Sequence, residues 1–481
     1  MALSTSSPLI AFSGDHPVLK RWIVALVLLF SLLIGLTGLG LPVLVLLFGA
    51  AGLFVLLRWP LIGLVLLIPV SLVIPFGIGT GTATSINATM LLLVALLGIW
   101  VLRMLGTRNL RLLRSPAIPP LLALVVIALV AFVVGLEPWI PFAKTAPLRA
   151  QIGGVVIFGL SAGAFLLVAH MVRDLRWLQW MVWAFLGLAA LYIIARMTPG
   201  LGLVANRLAQ RGAGDGSLFW TWLVALAFSQ AAYNRQLAKP WRVALGLLVI
   251  GTLVVSILLG RDWTSGWLPS LVAILAVLLA ASPRLAIAAS FPAVVIAFLR
   301  SERFRTLLLG GDNDYSLSTR VEAAQILLNI IQQSNPILGL GPSNYYWYTP
   351  LFPIRGYAVQ FNSHSQYIDL IAQTGIVGLL CFVWFAVALG WVGWRLRTQA
   401  PAGFAQAYVY GALGGLAGTV VAGGLGDWVL PFVYNIGFQG FRASVIGWLF
   451  MGGLVAVAEI VKRAPAPPGQ AAGSANPAPA A

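Results

Sequence analysis

VALGLLVIGTLVVSILLG, residues 243–260, contains no charged side chain and stops abruptly at Arg261-Asp262. A helix that crosses ~30 Å of hydrocarbon needs about 20 mostly apolar residues, and this run meets that need. The rest of the chain resembles it: 60% of the 481 residues are hydrophobic, 9% are charged, and the mean hydropathy is +0.96. A soluble domain carries roughly 25% charged residues. The fold class is therefore an all-α polytopic membrane protein of about 12–14 transmembrane helices. Spans are expected near 22–38, 41–57, 60–78, 87–105, 117–136, 152–172, 177–195, 218–233, 243–260, 266–282, 285–299, 366–393, 404–424 and 440–460.

The charges orient these spans. The ends shared with the termini carry Lys20, Arg21, Arg58, Arg103, Arg108, Arg111, Arg114, Arg173, Arg176, Arg235, Lys239, Arg242, Arg284, Arg395, Arg397, Lys462 and Arg463, against Asp15, Asp174 and Glu459. Short loops rich in Lys and Arg stay cytoplasmic, so both termini are expected inside. The net charge of +17 is then topological, and a nucleic-acid partner is not expected. Cys381 has no possible disulfide partner. No cleavable leader is evident, and the first span is read as uncleaved.

The resulting organisation is a cytoplasmic segment 1–19, transmembrane helices within 20–299, an extracytoplasmic loop 300–365, C-terminal transmembrane helices within 366–460, and a Pro/Ala/Gly-rich cytoplasmic tail 461–481. A loop of that length between spans is usually functional, and it is expected to contain short helices. No fixed-period repeat is found.

Ionisable residues avoid the middles of the spans and gather at their outer ends: Arg196, Arg207, Arg211, Asp215, Arg261, Asp262, Arg320, Glu322, His364 and Asp369. A transporter generally keeps such groups near mid-membrane, so a site at the outer interface is favoured over a path through the bilayer. In SLSTRVEAAQILLNIIQQSNP, residues 316–336, Ser318 or Thr319 is expected to cap an amphipathic helix that runs to Asn335-Pro336. Its apolar face would hold Ile326, Leu327, Ile330 and Ile331, and Arg320 would sit in its first turn, against the helix dipole.

His364 lies in FNSHSQYIDLIAQTGIVG, residues 361–378, and is one of three histidines in the chain. Read as the opening of one continuous helix, this stretch puts His364 and Gly375 on one face about 16 Å apart. Gly375 and Gly378 would then let another helix pack closely. An imidazole titrates near neutrality and can accept a proton from a hydroxyl. For His16 and His170 the expected role is structural, bonding to a neighbouring loop. GGDNDYS, residues 310–316, is read as a turn, not as a metal site. NYYWYTPLF, residues 344–352, supplies Asn344, Tyr345 and Tyr346 either as sugar contacts or as interfacial aromatics.

His364-Ser365, nine residues, then Gly375-Ile376-Val377-Gly378 resembles the signature of the O-antigen ligase family. Asn335-Pro336-Ile337-Leu338-Gly339-Leu340-Gly341 resembles the family's NPLxGxG segment. Leu258-Leu259-Gly260-Arg261 resembles its Ser-Arg-Gly turn, with Gly260 in place of Ser and Asp262-Trp263 in place of Gly. Arg320 resembles the arginine before its amphipathic helix. The resemblance covers roughly residues 200–395 and implies a membrane glycosyltransferase of the ligase or polymerase type. It implies an undecaprenyl-diphosphate-linked glycan as donor and a glycan, glycolipid or protein as acceptor, at the outer side of a bacterial cytoplasmic membrane. Lipopolysaccharide or another cell-envelope polysaccharide is the implied product. No metal and no cofactor is implied. Arg261 and Arg320 would hold the diphosphate, His364 would activate the acceptor hydroxyl, and Arg211 would add a phosphate or sugar contact.

Overall fold

A computed structural model describes residues 40–79, 85–202, 213–260, 263–290 and 312–463. The expected span at 22–38 and the tail from 464 lie outside the described residues. The chain divides into two compact units, Met1–Pro60 and Leu61–Ala481. In the first, α1 (Gly40–Arg58) is apolar throughout and ends on Arg58, whose guanidinium lies 6.0 Å from the Trp59 ring centroid.

The second unit is a helical bundle. It begins with α2 (Pro60–Val73) and a two-stranded antiparallel ribbon, β1 (Gly77–Gly79) and β2 (Ser85–Asn87). Then come α3 (Ala88–Gly106), α4 (Ile118–Val134), α5 (Leu148–Met171), α6 (Leu175–Met197), α7 (Ser217–Tyr233), α8 (Lys239–Val254) and α9 (Thr264–Ala281). After a helical segment at 283–290 follow α10 (Asp312–Gln333), the single turn α11 (Tyr345–Tyr348), α12 (Gln366–Leu396), α13 (Phe404–Leu425) and α14 (Gly437–Arg463).

Eight of the described helices are long and apolar enough to cross a membrane: α3, α5, α6, α8 with its extension to Leu258, α9, α12, α13 and α14. The spans expected at 60–78, 117–136 and 218–233 fall on shorter helices, since α2, α4 and α7 have 14, 17 and 17 residues, and that at 41–57 falls on α1. Only the first part of the span expected at 285–299 is described.

Helices that are apolar on every side belong inside a bundle. α5 and α14 fit that rule, with 78% of their spanning windows buried against 28% for α3. Small residues set the close crossings, as expected where packing is not driven by water. On α13, Gly411 faces Ser229 of α7, Gly414 and Gly418 face Ala273 and Pro269 of α9, and Gly415 faces Trp222 of α7. The polar residues cap and tie ends. Asn87 accepts from Met90 N–H at 3.0 Å as the α3 cap and donates to Phe438 O at 2.5 Å. That bond joins the ribbon to the start of α14.

Candidate active site

α12 is not one continuous helix. Gly375 stands at φ +67, ψ −174, and breaks it. The loop 335–341 is seated in the break: Leu340 N–H donates to Ala372 O at 2.8 Å and Ile376 N–H to Pro336 O at 3.0 Å. A side chain at Gly375 would collide with the Ile337 carbonyl. Gly339, at φ +72, lies equally close, its Cβ position 2.6 Å from Gly375 N. The expected helix–helix contact at Gly375 is thus a loop–helix contact, because a backbone turned to positive φ exposes amide groups that another backbone can satisfy. Gly378 makes room for the Thr374 side chain of its own helix.

His364 precedes α12 rather than opening it, and the shared helical face with Gly375 does not exist. Its backbone is left-handed, φ +48, a conformation that costs about 1–3 kcal/mol for a residue with a β-carbon. Flanking bonds hold it there. Ser365 N–H donates to Ser363 Oγ at 3.0 Å, and Ser363 Oγ donates to Asp369 Oδ1 at 2.7 Å. Tyr345 OH donates to the same oxygen at 2.5 Å. Burial, joined by the Asp369 carboxylate, pushes the Tyr345 hydroxyl far above the usual phenol range, so it remains a donor.

The turn between α13 and α14 supplies groups that the sequence reading did not single out. Asp427 is 2% exposed. Its Oδ2 accepts from Phe432 N–H at 2.7 Å and its Oδ1 from Asn435 Nδ2 at 2.5 Å. Burial raises its pKa to about 6, against the pull of these hydrogen bonds and of Arg320. The same Asn435 nitrogen lies 3.4 Å from His364 Nδ1, a long and weak hydrogen bond. The His364 ring is open to solvent on one side and packed by protein on the other. That partial desolvation, with the Arg320 charge, lowers its pKa, so the neutral ring prevails at neutral pH. Gln366 Oε1 accepts from Val429 N–H at 3.2 Å and Leu430 N–H at 2.7 Å, which fixes the turn against α12.

Arg320 reaches this turn from α10, donating from Nη1 to Leu425 O at 3.0 Å. α10 begins at Asp312, so Arg320 lies well inside the helix and not in its first turn, and the expected dipole conflict disappears. The backbone at 312–314 is helical and not a turn. The expected apolar face is present, with Leu327, Ile330 and Ile331 buried and Ile326 packed beside them. Glu322, on the same helix, pairs with Arg355 at 3.0 Å.

Arg261 and Arg211 lie outside the described residues. Their flanks converge on the same end of the bundle. Val255–Leu259 form a π-helical turn directly before Gly260, a feature often found at functional sites. A side chain at Gly260 would meet Ser256 O at 2.9 Å. Trp263 N–H donates to Gly260 O at 2.9 Å. Ser265 Oγ donates to the same Leu425 carbonyl that Arg320 uses, at 3.2 Å. Trp220, Trp263 and Trp428 form a chain of edge contacts at 6.5 and 5.7 Å, and Trp220 Nε1 donates to Gly214 O at 2.9 Å just beyond the Arg211 segment.

Of the aromatic stretch, only part faces outward. Asn344 is fully buried, donating to Gly135 O at 2.6 Å and Leu340 O at 2.9 Å and accepting from Ala146 N–H at 2.9 Å. Tyr345 is buried and stacked on Phe432 at 4.5 Å. Neither has a free polar group for a sugar, because both are spent on holding loops together. Tyr346 is partly exposed and stacks on Tyr434 at 4.6 Å, whose hydroxyl accepts from Trp347 Nε1 at 2.8 Å. His170 is structural as expected: Nε2 accepts from Leu113 N–H and Nδ1 donates to Leu166 O, both at 2.9 Å.

Buried polar atoms are nearly always hydrogen-bonded. Among the described residues eleven side-chain atoms are exceptions, and five of them belong to this part of the chain: Arg320 Nε, Asn362 Oδ1, Gln366 Nε2, Asp369 Oδ2 and Trp428 Nε1. The arrangement combines a guanidinium, a neutral imidazole and several unspent donors and acceptors at one end of a membrane bundle. No curated protein matches the chain. Residues 216–383, which include Arg261, Arg320, His364 and Gly375 but not Arg211, Asp427 or Asn435, match the family model described as O-antigen ligase, and this supports assigning the chain to the O-antigen ligase family.

Proposed function

We propose that this membrane glycosyltransferase takes a glycan from an undecaprenyl-diphosphate carrier and joins it to an acceptor hydroxyl at the outer face of the bacterial cytoplasmic membrane. The observation that carries the reading is the grouping of unpartnered buried polar atoms around Arg320 and His364. In this reading the acceptor O–H gives its proton to the neutral His364 ring while its oxygen bonds to the anomeric carbon. The bond from that carbon to the diphosphate oxygen breaks, and the electron pair leaves with the carrier. Arg320, with Nε unspent, and Arg261 meet the growing charge. Guanidinium forks bind phosphate oxygens bidentately and stay charged at any workable pH. Cations in place beforehand at a leaving group can do what a metal otherwise does. Asp427 and Asn435 position the ring, Arg211 adds a phosphate contact, and the partly exposed Tyr346–Tyr434 stack offers a sugar platform. The Lys/Arg distribution supports cytoplasmic termini and an outward-facing 300–365 segment.

The test is transfer by the purified protein from undecaprenyl-diphosphate-glycan in EDTA, alongside carrier binding. Wild type should keep its rate in EDTA. Arg320→Lys should lose both binding and about 10²–10³-fold in turnover, since a point ammonium cannot reproduce the fork. An activity that EDTA abolishes and manganese restores, or an unimpaired Arg320→Lys, would overturn the assignment.

A further inference from the structure

At the far end of α12 from His364, a cavity of about 230 Å³ opens between the α3–α4 connection and the last turns of α12 and α14. The unbroken part of α12 after Gly375, residues 376–396, is about 30 Å long, enough to carry this cavity to the opposite membrane surface. Arg114, Arg395 and Lys462 line it from three separate elements, together with one carboxylate, Glu459. That carboxylate is already occupied by Arg463 at 3.0 Å. Neither Arg114 nor Lys462 has an ion-pair partner among the described residues. Arg395 is set in place over the Trp391 ring, 4.6 Å from its centroid.

Ser115 Oγ, which also lines the cavity, is buried with no hydrogen-bond partner. The remaining wall is mostly apolar, with Pro116, Trp391, Leu396 and Val455, and carries one amide, Gln399. Helix-dipole compensation accounts for a cation at the end of α12 and of α14. It does not account for an uncompensated arginine on a third element or for an orphaned hydroxyl beside it. Arg173, close by, has its pKa lowered by burial and by repulsion from Arg463, against the pull of Glu459.

We propose that this cavity is a binding site for a phosphate-bearing anion, the headgroup of an anionic glycerophospholipid. Its phosphate sits among Arg114, Arg395 and Lys462, Ser115 donates to a phosphate oxygen, and an acyl chain lies along Trp391 and Val455. Basic pockets between transmembrane helices are suited to such headgroups. The site is separate from the transferase chemistry and does not depend on it.

The experiment is native mass spectrometry of the full chain exchanged into detergent with phosphatidylglycerol or phosphatidylcholine, without glycan donor. Phosphatidylglycerol should be retained and phosphatidylcholine should not. Each neutralised cation should lower retention about fivefold and the triple variant R114Q/R395Q/K462Q about a hundredfold. Glu459→Gln, which releases Arg463, should raise it. Arg114 lies in the α3–α4 connection and the other three side chains lie near the C-terminal ends of α12 and α14, so folding should be preserved and is checked by thermal unfolding. Equal retention of the two lipids, an unchanged triple variant, or complete displacement of phosphatidylglycerol by millimolar inorganic phosphate would overturn the lipid assignment.

Discussion

His170 and His364 carry the same ring into opposite surroundings. His170 lies within α5 with both nitrogens spent, one on Leu113 N–H and one on Leu166 O. His364 sits on a left-handed turn before α12, and its nearest polar contact, Asn435, is 3.4 Å away. The first ring closes a connection between elements. The second is held by its backbone and makes only a long contact through Nδ1. A side chain whose bonds are all made inside the fold stabilises it, whereas one positioned through its neighbours keeps its bonding capacity for something else. The same contrast separates Asn344 and Tyr345, fully engaged, from Arg320, with Nε unspent.

The comparison is broken most directly by removing each ring. His364→Ala should lower glycan transfer by about 10²–10⁴-fold, the usual worth of a general base, while binding of the carrier diphosphate largely persists. A variant that transfers at the wild-type rate would remove His364 from the chemistry.

A pH profile gives a smaller effect and sharpens the contrast. Transfer should need the neutral His364 ring and the ionised Asp427. Asp427 titrates at about 6, and the His364 pKa lies below its ordinary value. Activity should therefore fall as pH drops through about 6 and continue to fall below it. Asp427→Asn should remove the step near 6 and weaken transfer without abolishing it, because Asp427 acts through Asn435. An unchanged profile in that variant would separate Asp427 from the ring.

His170→Ala should have the smallest effect on transfer, leaving its rate at that of wild type. It should cost about 1–3 kcal/mol of stability, since Leu113 N–H loses its acceptor. Thermal unfolding of the purified variant measures this, and a loss of transfer without a loss of stability would erase the distinction.

The sequence by itself determined what depends on residues close in the chain. A span is a run of apolar residues long enough for the bilayer, so most helices fall where the runs do. Scarcity of charge picked out Arg320 and His364, and the period of 326–331 found the buried face of α10. What only the tertiary structure decided involves distant segments. The loop 335–341 enters α12 at Gly375, which reads locally as an ordinary helical glycine. Asn344 and Tyr345, polar and aromatic in the sequence, bury themselves against Gly135, Ala146 and Asp369. Asp427 and Asn435 resemble any acidic turn between spans until folding brings them beside a ring 63 and 71 residues away. Periodicity and hydropathy are properties of one stretch of chain. A hydrogen bond between two loops depends on where both are carried, and only the packed bundle sets that.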